Sequence, residues 1–328
     1  MAMLAIISFK FEPSKTNKIL EESIRIFSPA TVANVACGFD ILGLALENPG
    51  DEVIVKKKAS PGIVIHNETP YSNIPTDPDA NTLGVAAKAF LEHLDSDAGF
   101  EITITKKIKP GSGIGSSAAS AVAGIFGMNL LLGAPRTKKE LVQFAMHGEK
   151  AACGSAHADN VAPALLGGFV LVRSYQPLDV IPLAFPDTLY IAIIHPQIEL
   201  KTADARKVLR TNIQLKDAVQ QWGNIAGLVA GLSQNDYPLI ARSLEDVIIE
   251  PVRSLLIPGY EKVKQAAIEA DALGCSISGS GPSVFALCET QAIAHQAAHA
   301  MQEKFSELEI DSIQYISKIN TEGVRAYE

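Results

Sequence analysis

The chain has 328 residues, of which 47% are apolar and 20% are charged, and its formal net charge is −8. This length predicts two domains, and the composition is typical of a globular protein with sizeable cores. The negative charge argues against a nucleic-acid-binding protein, because neutralising phosphates requires clustered Lys and Arg.

The cysteines and the N-terminal residues indicate the cellular compartment and the class of the protein. Cys37, Cys153, Cys275 and Cys288 are scattered without C-x-x-C spacing, so neither a zinc site nor a disulfide framework is expected. A reducing cytoplasm is the predicted location. Residues 1–22 are predicted to be a loosely ordered extension without the basic and small-residue features of a secretory signal, and no apolar run is long enough for a membrane span.

Hydrophobic patterning predicts α and β elements along the whole chain. The first strand begins at Ile24, and apolar residues near Val53 and Ile63 predict an early hairpin. This order of elements predicts an α+β protein with two layers per domain, divided near residue 175 into domains of residues 23–175 and 176–328. The other predicted elements are strands at 100–105, 169–172, 189–194, 284–287 and 313–316, and helices at 82–94, 121–132, 138–153, 217–232, 259–273 and 290–306.

Residues 110–119, PGSGIGSSAA, form a glycine- and serine-rich segment between a predicted strand and a predicted helix, which we call the phosphate loop. Glycines let backbone N–H groups approach an anion, and the start of a helix adds unpaired N–H groups and the positive end of a dipole. The segment matches neither the Walker pattern nor the Rossmann spacing. It therefore predicts another kind of phosphate site, with a flexible turn as the alternative.

Glu149 lies on the apolar stripe of the helix that begins at Lys138, together with Leu141 and Ala145. A buried, unpaired carboxylate is unfavourable, so Glu149 must meet a cation, bind a metal ion or take up a proton. Mg²⁺ bound to a nucleotide is one such partner, because Mg²⁺ favours one or two protein oxygens besides phosphates and water, and Ser117 would supply the second oxygen. An interhelix salt bridge or an exposed helix end is the alternative.

Three segments resemble the three sequence motifs of the GHMP kinase family. They are residues 28–40 (SPATVANVACGFD), the phosphate loop and residues 278–287 (SGSGPSVFAL). The first is most similar to the motif of the homoserine kinases. The resemblance implies the two-domain GHMP kinase fold, with an N-terminal domain like ribosomal protein S5 domain 2 and a ferredoxin-like C-terminal domain. It also implies ATP- and Mg²⁺-dependent phosphorylation of the L-homoserine side-chain hydroxyl in threonine biosynthesis, by a homodimer.

The same resemblance implies which residues bind the second substrate. Arg206 and Arg253 resemble the arginines that bind its carboxylate, and a guanidinium offers paired donors to such a group. Thr202 shares a helix face with Arg206. Asn34 and Asp40 are implied to bind the ammonium or to hold the polar end of the substrate. A surface ion pair of Arg206 and helix capping by Asp40 are the alternatives.

Residues 157–160 resemble a segment that carries a catalytic aspartate in mevalonate kinase. Asn160 occupies the position of that base, and an amide cannot take a proton from the substrate hydroxyl. Catalysis is therefore predicted to depend on positioning and charge stabilisation, with Asn160 orienting the hydroxyl and Arg206 as the second catalytic residue. His157 and Asp159 are implied to assist substrate binding, with a structural role as the alternative for His157.

The nucleotide site is implied by the second and third motifs. Gly279, Ser280 and Gly281 are expected to support the phosphate loop. Two other functions stay open, a kinase of another small alcohol such as mevalonate and a non-catalytic nucleotide-binding relative. The expected ATP-binding residues are Asn81, Lys109, Pro110, Gly111, Ser112, Gly113, Ile114, Gly115, Ser116, Ser117, Ala118 and Ala119, with Ser117 and Glu149 as the metal ligands.

Overall fold

The structure is a computed structural model, and it describes residues 22–71, 74–154, 156–200 and 202–327. The predicted N-terminal extension lies outside these ranges except for Glu22. The described residues form two β-sheets with helices packed on them, which confirms the predicted fold class. None of their helices is long and apolar enough to cross a membrane.

Seven strands form the first sheet. They are β1 (Ser23–Ala33), β2 (Leu42–Lys58), β3 (Gly62–Asn67), β4 (Gly99–Thr105), β5 (Phe169–Tyr175), β6 (Leu178–Leu183) and β11 (Arg325–Tyr327). The order is β11–β1–β2–β4–β3, and the hairpin of β5 and β6 attaches to β2. One face is covered by α1 (Thr82–His93), α2 (Ser116–Leu131), α3 (Lys138–Cys153) and α4 (Val161–Leu166).

The predicted hairpin near Val53 and Ile63 is wrong. β4 lies between β2 and β3, and β3 pairs with β4 in parallel. Parallel strands need a crossover connection, and here the connection contains α1. The alternation of apolar residues locates both strands correctly, but it carries no information about which strand each one pairs with.

The second sheet contains β7 (Tyr190–Pro196), β8 (Gly274–Ile277), β9 (Val284–Cys288) and β10 (Ser312–Lys318), all antiparallel in the order β10–β7–β9–β8. The helices α9 (Tyr260–Glu269) and α10 (Gln291–Ser306) cover one face. The other face shares a core with β1 and β2, in which Val32 and Leu44 join Ile193 and Phe285. The remaining helices are α5 (Thr202–Lys207), α6 (Leu215–Gln234), α7 (Tyr237–Ser243) and α8 (Glu250–Arg253), followed by a 3₁₀ turn at Ser254–Leu256.

All six predicted helices are present, and the patterning missed only short elements such as α7 and β11. The helix predicted from residue 121 begins earlier, at Ser116. The division near residue 175 stays a prediction. Residue 175 is the last residue of β5, just before the turn into β6, and both β6 and β11 belong to the first sheet.

A buried ion pair connects the first sheet to the phosphate loop. The Lys106 ammonium lies 2.7 Å from Oδ2 of Asp51, on β2, and also donates to Ser116 O at 2.6 Å and to Ser116 Oγ at 2.9 Å. Oδ1 of Asp51 accepts the backbone N–H groups of Lys107 and Ile108, both at 3.0 Å. Both charges are therefore well supplied with partners, as a buried pair requires.

Replacing one member of this pair tests its contribution to stability. Asp51→Asn leaves the Lys106 ammonium buried beside a neutral group, so we expect the free energy of unfolding to fall by about 3–5 kcal/mol. Chemical denaturation at pH 7 measures the change.

The matched control is Glu52→Gln, one residue along β2, because Glu52 pairs with the half-exposed Lys107. Such exposed pairs contribute less than about 1 kcal/mol. Equal losses in the two variants would contradict a special role for the buried pair.

Candidate active site

A cavity of about 330 Å³ opens where the phosphate loop meets the ends of α3, α5 and α8. Most of the residues predicted for the site line it, although they come from segments far apart in the sequence. They are Asn34, Asp40, Asn81, Pro110, Gly111, Gly113, Gly115, Ser116, Ser117, Glu149, His157, Asp159, Asn160, Thr202, Arg206, Arg253, Gly279 and Ser280.

Six predicted residues do not line the cavity. Lys109 extends along the surface to Oε1 of Gln197, at 2.7 Å. Ser112 is buried within the phosphate loop. Gly281 lies next to the loop, because a Cβ atom added at Gly113 would come within 2.6 Å of the Gly281 carbonyl oxygen. Ile114, Ala118 and Ala119 are buried in the cores.

Every second residue of the phosphate loop from 111 to 115 is a glycine in the left-handed backbone region. The φ angles of Gly111, Gly113 and Gly115 are 75°, 84° and 72°, a conformation that side chains with a Cβ rarely adopt. Gly115 is the N-cap residue of α2 and makes no side-chain capping hydrogen bond. The first N–H groups of α2 lack a side-chain cap, which is the arrangement that binds anions at helix N-termini.

The turn between β8 and β9 supports the phosphate loop from the other side. Ser278 Oγ donates to Gly113 O at 2.9 Å, and Ser283 Oγ donates to Ser112 O at 2.6 Å. The supporting hydrogen bonds therefore come from two serines of the third motif that sequence reasoning did not select. Ser280, which it did select, lies 3.1 Å from the hydroxyl of Thr202.

A buried histidine completes this support. Nδ1 of His195 lies 3.1 Å from Ser283 Oγ. Burial, with the positive charge of Lys109, lowers the pKa of His195 to about 4, so the ring is neutral at pH 7. Because the Ser283 hydroxyl proton is given to the Ser112 carbonyl, the His195 ring donates its Nδ1–H to Ser283. Nothing in the local sequence around His195 indicated this role.

Ser117 and Glu149 meet at the start of α2. The Ser117 hydroxyl donates to Oε1 of Glu149 at 2.6 Å. Burial raises the pKa of Glu149, while the Ser117 hydrogen bond and the positive charge of Lys106 oppose the rise. The predicted pair is thus brought together at the cavity wall. No group of three or more His, Cys, Asp or Glu side chains that could hold a metal ion occurs among the described residues.

Two arginines, Arg206 and Arg253, also line the cavity. Arg206 forms a two-pronged ion pair with Asp40, with nitrogen–oxygen distances of 2.8 and 3.3 Å. The Arg253 guanidinium donates to the carbonyl oxygens of Ala205 and Gly279 at 3.2 and 3.0 Å. Burial and the charge of Arg206 lower the pKa of Arg253 to about 10, so both guanidinium groups remain charged at pH 7.

Phe39, which lies in the first motif, contacts both guanidinium groups. The centre of its ring lies 5.6 Å from the Arg206 guanidinium carbon and 4.9 Å from that of Arg253. A ring face attracts cations, so Phe39 helps to hold two like charges near each other. Sequence reasoning missed Phe39, although it stands within the Gly-Phe-Asp part of that motif.

Acidic groups lie beside the arginines. Asp159 is buried, and its Oδ1 has no hydrogen-bond partner among the described residues. Burial, together with the negative charges of Asp40 and Glu149, raises the pKa of Asp159 to about 7.

The His157 ring lies 3.5 Å from Asp40, and burial lowers the pKa of His157. The Tyr175 hydroxyl donates to Asp40 O at 2.7 Å and accepts the Ala158 N–H at 3.2 Å, which joins the two acidic segments.

Asn34 and Asn81 line the cavity, and both also have structural partners. Nδ2 of Asn34 donates to Gly279 O at 2.7 Å, and its Oδ1 accepts the backbone N–H of Asp40 at 3.0 Å. Asn34, Val35 and Ala36 have φ angles of 71°, 42° and 58°, a strained backbone of the kind found at functional sites.

Asn81 is the N-cap of α1 and accepts the Leu83 N–H. The helix that Asp40 would have capped is not formed, because β2 begins at Leu42.

Comparison with known proteins gives a consistent result. The family described as GHMP kinases N terminal domain matches residues 81–168, and that described as GHMP kinases C terminal matches residues 228–307. A homoserine kinase of Chlorobium phaeovibrioides is 50% identical over 93% of this chain and 99% of its own length. One of Chloroherpeton thalassium is also 50% identical, over 91% and 98%.

Solved structures agree with the sequence matches. The crystal structure of homoserine kinase from Cytophaga hutchinsonii is 51% identical and has a TM-score of 0.91, covering 98% of this chain and 100% of that one. The structure of L. major mevalonate kinase in complex with R-mevalonate is 18% identical with a TM-score of 0.69, covering 89% and 95%, and so shares the fold. The resemblance of the three motifs is thereby confirmed, and the chain belongs to the GHMP kinase family, in its homoserine kinase group.

Proposed function

We propose that this chain transfers the γ-phosphoryl group of ATP to the side-chain hydroxyl of L-homoserine and releases O-phospho-L-homoserine and ADP, a step of threonine biosynthesis. One observation carries the assignment of the site. One cavity is lined both by the phosphate loop and by two arginines together with two aspartates. A zwitterionic amino acid complements the arginines and aspartates, because it carries one charge of each sign.

The triphosphate of the nucleotide lies against the phosphate loop in this proposal. Left-handed glycines and the first N–H groups of α2 surround the triphosphate with donors. Lys106 adds a positive charge at the cavity wall, although its ammonium is already bonded to Asp51 and Ser116. Asn81 also lines the cavity, and the family resemblance implies that the adenosine binds near it.

Ser117 and Glu149 are suited to hold a Mg²⁺ ion. They bring one hydroxyl and one buried carboxylate together beside the phosphate loop, and Mg²⁺ is bound by few protein oxygens besides phosphates and water. The ion would neutralise charge on the β- and γ-phosphates. The raised pKa of Glu149 reflects a buried carboxylate, for which a cation is a favourable partner.

The amino acid lies against the two arginines in this proposal. Arg253 and Arg206 provide the guanidinium groups for the substrate carboxylate, and Asp40 and Asp159 provide the acceptors for its ammonium. Mevalonate has no ammonium, so it would leave these carboxylates without a cation. A substrate that leaves a buried polar group without its partner is strongly disfavoured.

The transfer itself requires little from a base. The substrate hydroxyl oxygen forms a bond to the γ-phosphorus while the β–γ bridging bond breaks, and ADP leaves with the electron pair. The hydroxyl proton passes to an oxygen of the transferred phosphoryl group. Asn160 orients the hydroxyl but cannot accept its proton, and Arg206, by binding the substrate carboxylate, helps to hold the hydroxyl in position for the transfer.

We further propose that the protein is a cytoplasmic homodimer. The buried, unpaired thiols of Cys37 and Cys275 suit a reducing compartment. Leu215, Val219 and Trp222 lie on one face of α6 with 72%, 56% and 59% of their surfaces exposed. Apolar faces of this kind are often covered by another chain, and a second copy is the partner that the family resemblance implies.

Removing the carboxylate that is proposed to bind Mg²⁺ tests the assignment of the site. With Glu149→Gln, we expect homoserine-dependent ADP release under saturating Mg-ATP to fall about a hundredfold or more, because the metal ion supplies several kcal/mol of charge stabilisation. A coupled assay of ADP release measures this, and Glu92→Gln on the exposed face of α1 is the matched control. Equal activity in both variants would contradict the assignment.

The raised pKa of Asp159 predicts a stability effect with a defined pH dependence. The pKa is about 7 in the folded chain against an ordinary 3.8, so folding takes up a proton between these values and stability falls as the pH rises through this range. Asp159→Asn removes that cost. We expect the variant's gain in free energy of unfolding to grow from about pH 4 to 7 and to level off at about 4 kcal/mol, while the KM for homoserine rises.

Denaturation of the ligand-free protein at several pH values measures this gain, with the exposed Asp187→Asn as the matched control. A gain that does not change with pH would contradict the raised pKa. A homoserine KM that stays at the wild-type value would instead contradict the role of Asp159 in binding the ammonium.

A further inference from the structure

Thr31 lies directly behind the Asn160 amide. It is a fully buried residue of β1, and its backbone N–H donates to Ile114 O of the phosphate loop at 3.2 Å. Its hydroxyl donates to Oδ1 of Asn160 at 2.7 Å. A threonine hydroxyl has a single proton, and here that proton is given to the amide oxygen of a cavity-lining residue.

This hydrogen bond fixes the orientation of the amide. The oxygen and the NH₂ group of an amide point in different directions, so holding the oxygen against Thr31 leaves the NH₂ group to point away from β1. The Asn160 amide nitrogen makes no hydrogen bond to any described residue, and Asn160 lines the cavity. The face of Asn160 that a ligand meets is therefore a donor.

The pair also lies against the phosphate loop. A Cβ atom added at Gly115, the N-cap residue of α2, would come within 2.0 Å of Thr31 Oγ1 and 3.1 Å of Asn160 Oδ1. Gly115 thus lets the loop approach both side chains closely. This contact brings the Asn160 amide next to the first turn of α2, where the proposed phosphate site begins.

We propose that Thr31 is a positioning residue, which holds Asn160 with its NH₂ group toward the reacting oxygens. The inference rests on the proposed function. A donor in this position stabilises the negative charge that develops on the phosphoryl oxygens and on the oxygen of the acceptor hydroxyl. The flipped amide would present its carbonyl oxygen to the same oxygens and repel them. Thr31 acts only through Asn160 and does not itself touch the substrate.

The test is a double-mutant cycle between the two residues. Thr31→Val keeps the shape of the side chain and removes the hydroxyl. Because one buried hydrogen bond sets the amide orientation, we expect kcat to fall about tenfold while the KM values for ATP and homoserine change less than about twofold. In the Asn160→Ala background the same substitution has no further effect. Thr31→Ser, which keeps the hydroxyl, retains most of the activity.

A second comparison does not depend on the folding of the Val variant. Thr31→Ser and Thr31→Ala both lack the methyl group and differ only in the hydroxyl, so the ratio of their kcat values measures the same interaction. Unchanged kcat in Thr31→Val, or an equal loss with and without the Asn160 amide, would overturn the inference. Absence of homoserine-dependent turnover in the wild-type chain would instead overturn the proposed function, so the two failures are distinguishable.

Discussion

The phosphate loop has a backbone that its glycines permit and that contacts from both sheets hold in place. From the first sheet, Asp51 holds Lys106 against the start of α2. From the second sheet, Ser278 and Ser283 donate to loop carbonyl oxygens. These contacts supply hydrogen-bond partners to buried polar groups of the loop and its neighbours. The donors of the loop are consequently fixed before any anion binds, which is the condition for effective charge stabilisation.

The same arrangement orders the charges of the cavity. Three basic side chains and three carboxylates line it, namely Lys106, Arg206, Arg253, Asp40, Glu149 and Asp159. Arg206 is held by Asp40, whereas Arg253 is held by carbonyl oxygens and by the ring of Phe39. In the proposed mode of binding, the carboxylate and the ammonium of an amino acid pair with these arginines and aspartates. This property distinguishes the site from one built for a neutral alcohol.

The sequence predicted the elements and the residues that belong to contiguous motifs. Glu149 could be placed with Ser117 because helical spacing puts its carboxylate on an apolar stripe, and the loop glycines had a physical reason for their spacing. Residues that act across long sequence distances could not be found in this way. Thr31 meets Asn160 over 129 positions, and His195 meets Ser283 over 88. The misplaced hairpin has the same origin, since strand pairing is also a non-local property.

In the proposed mechanism, the neutral amide of Asn160, held as a donor, serves phosphoryl transfer without a base. Asn160→Asp tests it most directly, by kcat for ADP release with saturating Mg-ATP and L-homoserine. A carboxylate at this position could take the hydroxyl proton, but it would add negative charge beside Asp159 and the phosphoryl oxygens. We predict that kcat is unchanged or lower. A gain of about tenfold or more would show that a missing base limits the enzyme, and would contradict the account.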